Sequence, residues 1–71
     1  MQKYLAIIEK AEHNYSAYSP DIPGCIATGK SRKEAEQNIK EAISFHIQGL
    51  KEDGLAVPQV TTSVEYVEVS E

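Results

Sequence analysis

The sequence predicts a small α+β domain of order β-β-β-α-β. Three strands form an antiparallel meander, a single helix packs on one sheet face, and a fourth strand lies parallel to the first. Three observations carry this expectation. Short β-rich apolar runs separated by turn residues fill the first part of the chain, a capped amphipathic stretch follows, and an alternating valine-containing run comes last. The 71 residues make one domain, 1–71, near the lower end of what folds alone.

Tyr4 to Glu9 is β-rich and apolar on both faces, which predicts a strand buried on at least one side. His13-Asn14 supplies a hairpin turn, and Tyr15 to Tyr18 reads as the second strand, with Tyr15 and Ala17 on one face and Ser16 and Tyr18 on the other. Ser19 to Gly24 cannot be regular, because Pro20 and Pro23 bracket Asp21 and Ile22. Pro23-Gly24 is a type II turn pair, proline fixing φ and glycine accepting positive φ. Cys25 to Gly29 forms a third short strand.

Ser31-Arg32-Lys33-Glu34 is a capping box opening a helix. Ala35, Ile39, Ala42, Ile43, His46 and Leu50 then recur at helical spacing within an arc of about 100°. Asp53-Gly54 stops the helix and Pro58 prevents a restart. From Val60 to Val69 apolar and polar residues alternate, which predicts the fourth strand. One helix covers one sheet face, so Leu5, Ile7, Val67 and Val69 are expected to be buried between subunits, in a homodimer or homotetramer.

Composition narrows the function. A net charge of −4 repels phosphate backbones and favours a basic protein as partner over nucleic acid. A single cysteine excludes an internal disulfide and suits a reducing cytoplasm. Neither a signal-peptide pattern nor an apolar stretch of bilayer length is present, so the expected location is cytoplasmic, with no membrane association.

No enzyme motif emerges. His46 lies in the apolar helix stripe, as a core or interface histidine does, and His13 lies in a turn; with one cysteine they make no zinc pattern. Cys25 has no neighbour to lower its pKa and reads as a small buried residue. Glu34, Glu36, Glu41 and Glu52 read as a solvated helix face rather than a metal cradle. The expectation is therefore no catalysis, no metal and no cofactor. The best candidate for binding is the loop after the second strand, where two prolines stiffen a segment expected to present Tyr18, Asp21 and Ile22 to a partner.

The run from Tyr15 to Pro58, with its Pro-Asp-Ile-Pro-Gly loop, capped helix and stop signal, resembles the HicB family of antitoxins, and Tyr4 to Glu9 fits that family's first strand. The resemblance implies a partial ribonuclease-H-like β-β-β-α-β fold. It also implies an antitoxin role, neutralising a HicA-type messenger-RNA-cleaving toxin by stoichiometric binding. Many such proteins carry a C-terminal DNA-binding module, whereas this sequence ends at Glu71, so it resembles a short form from which no direct DNA binding is expected. The alternatives are an orphan oligomeric interaction domain without a toxin, and a residual hydrolase. The latter would need an acid in the middle of the first strand, where Leu5-Ala6-Ile7 stands.

Overall fold

In the computed structural model, which describes residues 2–71, three strands precede one helix: β1 (Ile7–Lys10), β2 (Tyr15–Tyr18), β3 (Ile26–Gly29) and α1 (Arg32–Glu52). The sheet has the order β1-β2-β3 with both pairings antiparallel. The meander and the helix follow the sequence expectation closely. The first strand begins later than expected, at Ile7 rather than Tyr4, and the third at Ile26 rather than Cys25.

Register decides the two faces. Ile8, Ala17 and Ala27 stand opposite one another across the sheet, and this row packs toward the helix: Ala17 is buried, with Ile8 and Ala27 against the core. The adjacent row of Ile7, Tyr18 and Ile26 points to the opposite face, because successive side chains alternate. The fully buried core is small: Ala17, Ile22, Cys25, Ala35 and Ile39.

The helix starts and stops where local chemistry demands. Ser31 is extended (φ −132°, ψ 164°) and its hydroxyl accepts from the Glu34 amide at 3.1 Å. The return half of the capping box lands one residue upstream of the expected position, with the Lys30 amide donating to Glu34 Oε1 at 2.7 Å. At the other end Gly54 takes φ +69°, and the Gly54 and Leu55 amides donate to the Lys51 and Leu50 carbonyls. Those two bonds make a Schellman motif, which a residue with a Cβ would close only under strain. Asn38 additionally donates to the Thr28 carbonyl at 2.8 Å, tying the helix flank to β3.

The expected fourth strand does not join the sheet. Residues 55–71 have no regular secondary structure and no ladder partner. Two contacts explain their course: the Tyr4 hydroxyl donates to the Pro58 carbonyl at 2.8 Å, and Thr61 and Thr62 are held by Asp21 in the β2–β3 loop. Those contacts carry the chain across the loop end of the sheet instead of alongside β1. Beyond them, residues 63–71 are exposed, Tyr66 at 97%. The radius of gyration, 13.9 Å, accordingly exceeds the value of about 11 Å usual for a compact chain of this length.

Candidate partner-binding surface

The loop after β2 is two consecutive turns. The Ile22 amide donates to the Ser19 carbonyl at 3.1 Å, and the Cys25 amide to the Ile22 carbonyl at 3.2 Å. Gly24 has φ +78°, as the third residue of a type II turn requires, and Pro23 precedes it. Proline at both turns restricts the unfolded loop as well as the folded one, so its shape is set before any partner arrives.

This geometry separates the three residues expected to share one binding surface. Ile22 is buried (0% exposed), pointing into the core beside Ala17, Ile39 and Cys25, which corrects the expectation that it is presented at the surface. The reason is hydrophobic: with so few large side chains available to the core, the only β-branched residue of the loop is drawn inward. Asp21 is occupied within the chain. Its Oδ1 accepts from the Thr61 hydroxyl at 3.0 Å, the Thr62 amide at 3.2 Å and the Thr62 hydroxyl at 2.8 Å. Tyr18 alone is an exposed aromatic, at 38%.

The Thr62 hydroxyl bond, the largest influence, holds the Asp21 carboxyl below its ordinary value; partial desolvation opposes it and Thr61 adds to it. The hydrogen bonds favour the charged form, so the clasp is complete above the ordinary value of 3.8 and is lost as pH falls through the lowered folded value. Limited proteolysis of the 60–71 segment is therefore expected to be unchanged from neutral pH down to about pH 5 and to accelerate only in stronger acid. The substitution Asp21→Ala should give the accelerated pattern already at neutral pH while the thermal melt of the core moves little. An unchanged cleavage rate in that variant would show that the clasp does not hold the segment.

The four residues expected to lie between subunits divide in the same way. Ile7 at the start of β1 and Leu5 just before that strand are half-buried, whereas Val67 (74%) and Val69 (72%) are exposed on the C-terminal arm. Cys25 is buried and burial raises its thiol pKa, which makes it an unreactive core residue, as its setting in the sequence suggested. Among the described residues no group of three or more His, Cys, Asp or Glu side chains could hold a metal ion. Among them, too, no helix is long and apolar enough to cross a membrane.

Two large exposed residues escape the sequence reading. Ile26 (73% exposed) and Phe45 (80% exposed) line a groove of about 530 Å³ between β3 and the flank of α1. Phe45 carries a detectable signal: it is the helix's aromatic, and it falls outside the apolar arc that Ala35, Ile39 and Ala42 define.

A three-stranded antiparallel meander followed by one capped helix, with an intramolecular clasp, defines a small α+β domain. Residues 4–71 match the family described as HicB_like antitoxin of bacterial toxin-antitoxin system. The chain belongs to that family. It is 46% identical over 59 residues to a UPF0150 protein of Helicobacter pylori, covering 83% of this chain and 82% of that one. It is also 42% identical over 64 residues to an uncharacterized 14.9 kDa protein of the rep-hol intergenic region of Haemophilus phage HP1. That match covers 90% of this chain but 48% of the phage protein, so the chain spans about half of that relative's length. Among solved structures, it is similar to a chain of the HicA3 and HicB3 toxin-antitoxin complex, with a TM-score of 0.70 and 30% identity over 84% of this chain and 70% of the other.

Proposed function

We propose that this chain is the antitoxin of a HicAB-type pair and neutralises a messenger-RNA-cleaving HicA toxin by stoichiometric binding. The observation that carries the reading is the likeness in fold and sequence to a chain from a HicA3–HicB3 complex. The net charge of −4 supports it, since a protein that binds RNA is basic and an acidic partner is steered toward it. The role is non-catalytic and uses no cofactor. Its setting is the cytoplasm, where the toxin's substrate is found, and the domain does not itself bind DNA, because its net charge of −4 repels the phosphate backbone.

In this reading the working form is a homodimer or homotetramer. Ile7 at the start of β1, Leu5 just before it, and Val67 and Val69 on the arm become covered there. The arm then completes the sheet as its fourth strand, parallel to β1, giving the partial ribonuclease-H-like arrangement. Of the proline loop, Tyr18 faces the toxin, while Asp21 and Ile22 contribute by holding the loop's shape.

The test is genetic and then biochemical. A basic reading frame adjacent to this gene should arrest growth when expressed alone, and co-expression of this chain should restore growth and yield a complex of fixed ratio that survives chelation of metals. Arrest that this chain does not relieve, or the lack of any such neighbour, would favour an orphan interaction domain instead.

A further inference from the structure

The charges of α1 are sorted by flank. Counting about 100° per residue, Glu34, Glu41 and Glu52 fall within a narrow arc, and Asn38 and Phe45 fall on the same side. Lys33, Lys40 and Lys51 form a second stripe about 100° away. The structure fixes which stripe faces where. Asn38, Glu41 and Phe45 share the groove beside β3 with Ile26, whereas Lys40 lines the opposite side of the helix with Tyr4 and Ala6. The β3 flank is thus an acidic strip with a phenyl ring standing out of it.

Nothing within the described residues neutralises that strip by ion pairing: the pairs are Arg32–Glu36 and His13–Glu12, and neither includes Glu34, Glu41 or Glu52. Gln37 donates to Glu41 Oε2 at 2.9 Å, which fixes the carboxylate without cancelling its charge. The apolar part is equally unspent. Phe45 is 80% exposed and Ile26 73% exposed, and Tyr18 stands directly across from Ile26 in the β2–β3 ladder. The result is a continuous band, Tyr18–Ile26–Phe45, that wraps the β3 edge and is bordered by carboxylates. Exposed aromatic and aliphatic groups grouped in this way mark protein contact surfaces.

We infer that this band is the surface that docks a basic protein partner, through Phe45 and Ile26 seated in an apolar depression ringed by lysine or arginine. Charge selects the occupant. A second copy of the chain placed symmetrically on this face would set the Glu34–Glu41–Glu52 strips against each other, and like charges in an interface cost affinity. Nucleic acid is repelled for the same reason. A cationic protein gains on both counts, because the acids guide encounter and the phenyl ring holds the complex. The inference rests on the antitoxin reading and names the face that meets the toxin, which starts beside the proline loop at Tyr18 and runs over Ile26 to Phe45.

The test uses the full chain and the toxin encoded by the neighbouring reading frame, with affinity and rates followed by surface-bound binding kinetics. Phe45→Ala and Ile26→Ser should each weaken the complex by at least about 30-fold, mainly by faster dissociation, the usual effect of removing a central interface anchor. Glu41→Lys should slow association several-fold and flatten its dependence on salt, whereas Lys40→Glu on the other flank should not slow it. These side chains are exposed, so circular dichroism and thermal melting should match the parent chain, which separates lost docking from lost folding. Parent-like affinity in both the Phe45 and Ile26 variants would overturn the surface while leaving the antitoxin reading intact. A parent chain that fails to bind the toxin overturns both. A homodimer abolished by Phe45→Ala would assign the band to a second copy and overturn the inference.

Discussion

Gly29→Ala is expected to unfold the domain or leave it barely folded. Gly29 ends β3 opposite Tyr15 and is buried, two residues before the helix cap at Ser31. A Cβ at this position would stand 2.8 Å from the Ala35 Cα and 2.9 Å from the Glu34 carbonyl carbon. Those are backbone atoms of the first helical turn, pinned by Ser31 and Glu34 on one side and by burial of Ala35 on the other. No rotamer change can relieve the clash, so the strand and helix must part. Overpacking typically costs 1–3 kcal/mol and more where nothing can yield, so about 3 kcal/mol or above is expected. A domain of this size is worth roughly 4–10 kcal/mol in all. Urea denaturation should show the midpoint falling by half or the native baseline disappearing. Gly49, a helical position where an added Cβ meets nothing within 4 Å, is the control. Gly49→Ala should raise stability by about 0.5–1 kcal/mol. If alanine is tolerated equally well at both positions, helix and strand do not approach as closely as described.

Ile22→Ala should cost about 2–5 kcal/mol, the usual range for truncating a fully buried isoleucine. The residue is 0% exposed, and it and Ile39 are the largest fully buried side chains of the described core. Its loss would hollow the contact between the proline loop and α1, where Ala17, Cys25 and Ala35 are too small to close the gap. The effect should appear as a lower denaturation midpoint with the slope unchanged, since the same surface is still exposed on unfolding. A loss below about 1 kcal/mol would mean that the loop adds little to the core. The result also bears on any binding study: a variant at this position that fails to engage a partner reports on folding and says nothing about contact.

Most of the fold was legible because it is local. The three strands and their antiparallel order follow from the turn residues between them, although the first and third strands start later than expected, and the helix follows from a capping box and a glycine stop with their own hydrogen bonds. Two features were not legible, and both depend on contacts distant in sequence. The alternation from Val60 to Val69 is a true strand pattern, yet alternation states only what a segment could pair with; the Asp21 clasp, reaching 41 residues along the chain to Thr62, decides where the segment runs. Ile22 was read from the chemistry of its neighbours. Polar and proline residues on both sides mark a surface loop, but they do not reveal that the second turn folds one side chain back under the sheet. The exposed groove beside β3 was the least legible part. Ile26 and Phe45 meet only after helix and edge strand have packed, and neither belongs to a periodic set.

The Asp21 clasp also has a kinetic meaning. Every pairing in the meander joins neighbouring segments, and the helix follows directly on the last strand, so the body of the domain assembles from short-range contacts and is expected to fold fast. The clasp must instead close a long loop, and it returns only a few surface hydrogen bonds for that entropy. It forms last, on a body that is already complete, and opens first, without disturbing that body. Two clocks therefore run in one small domain: a slow one for the core, and a fast one for the arm, whose Val64, Val67 and Val69 are exposed even with the clasp closed and gain freedom of movement when it opens.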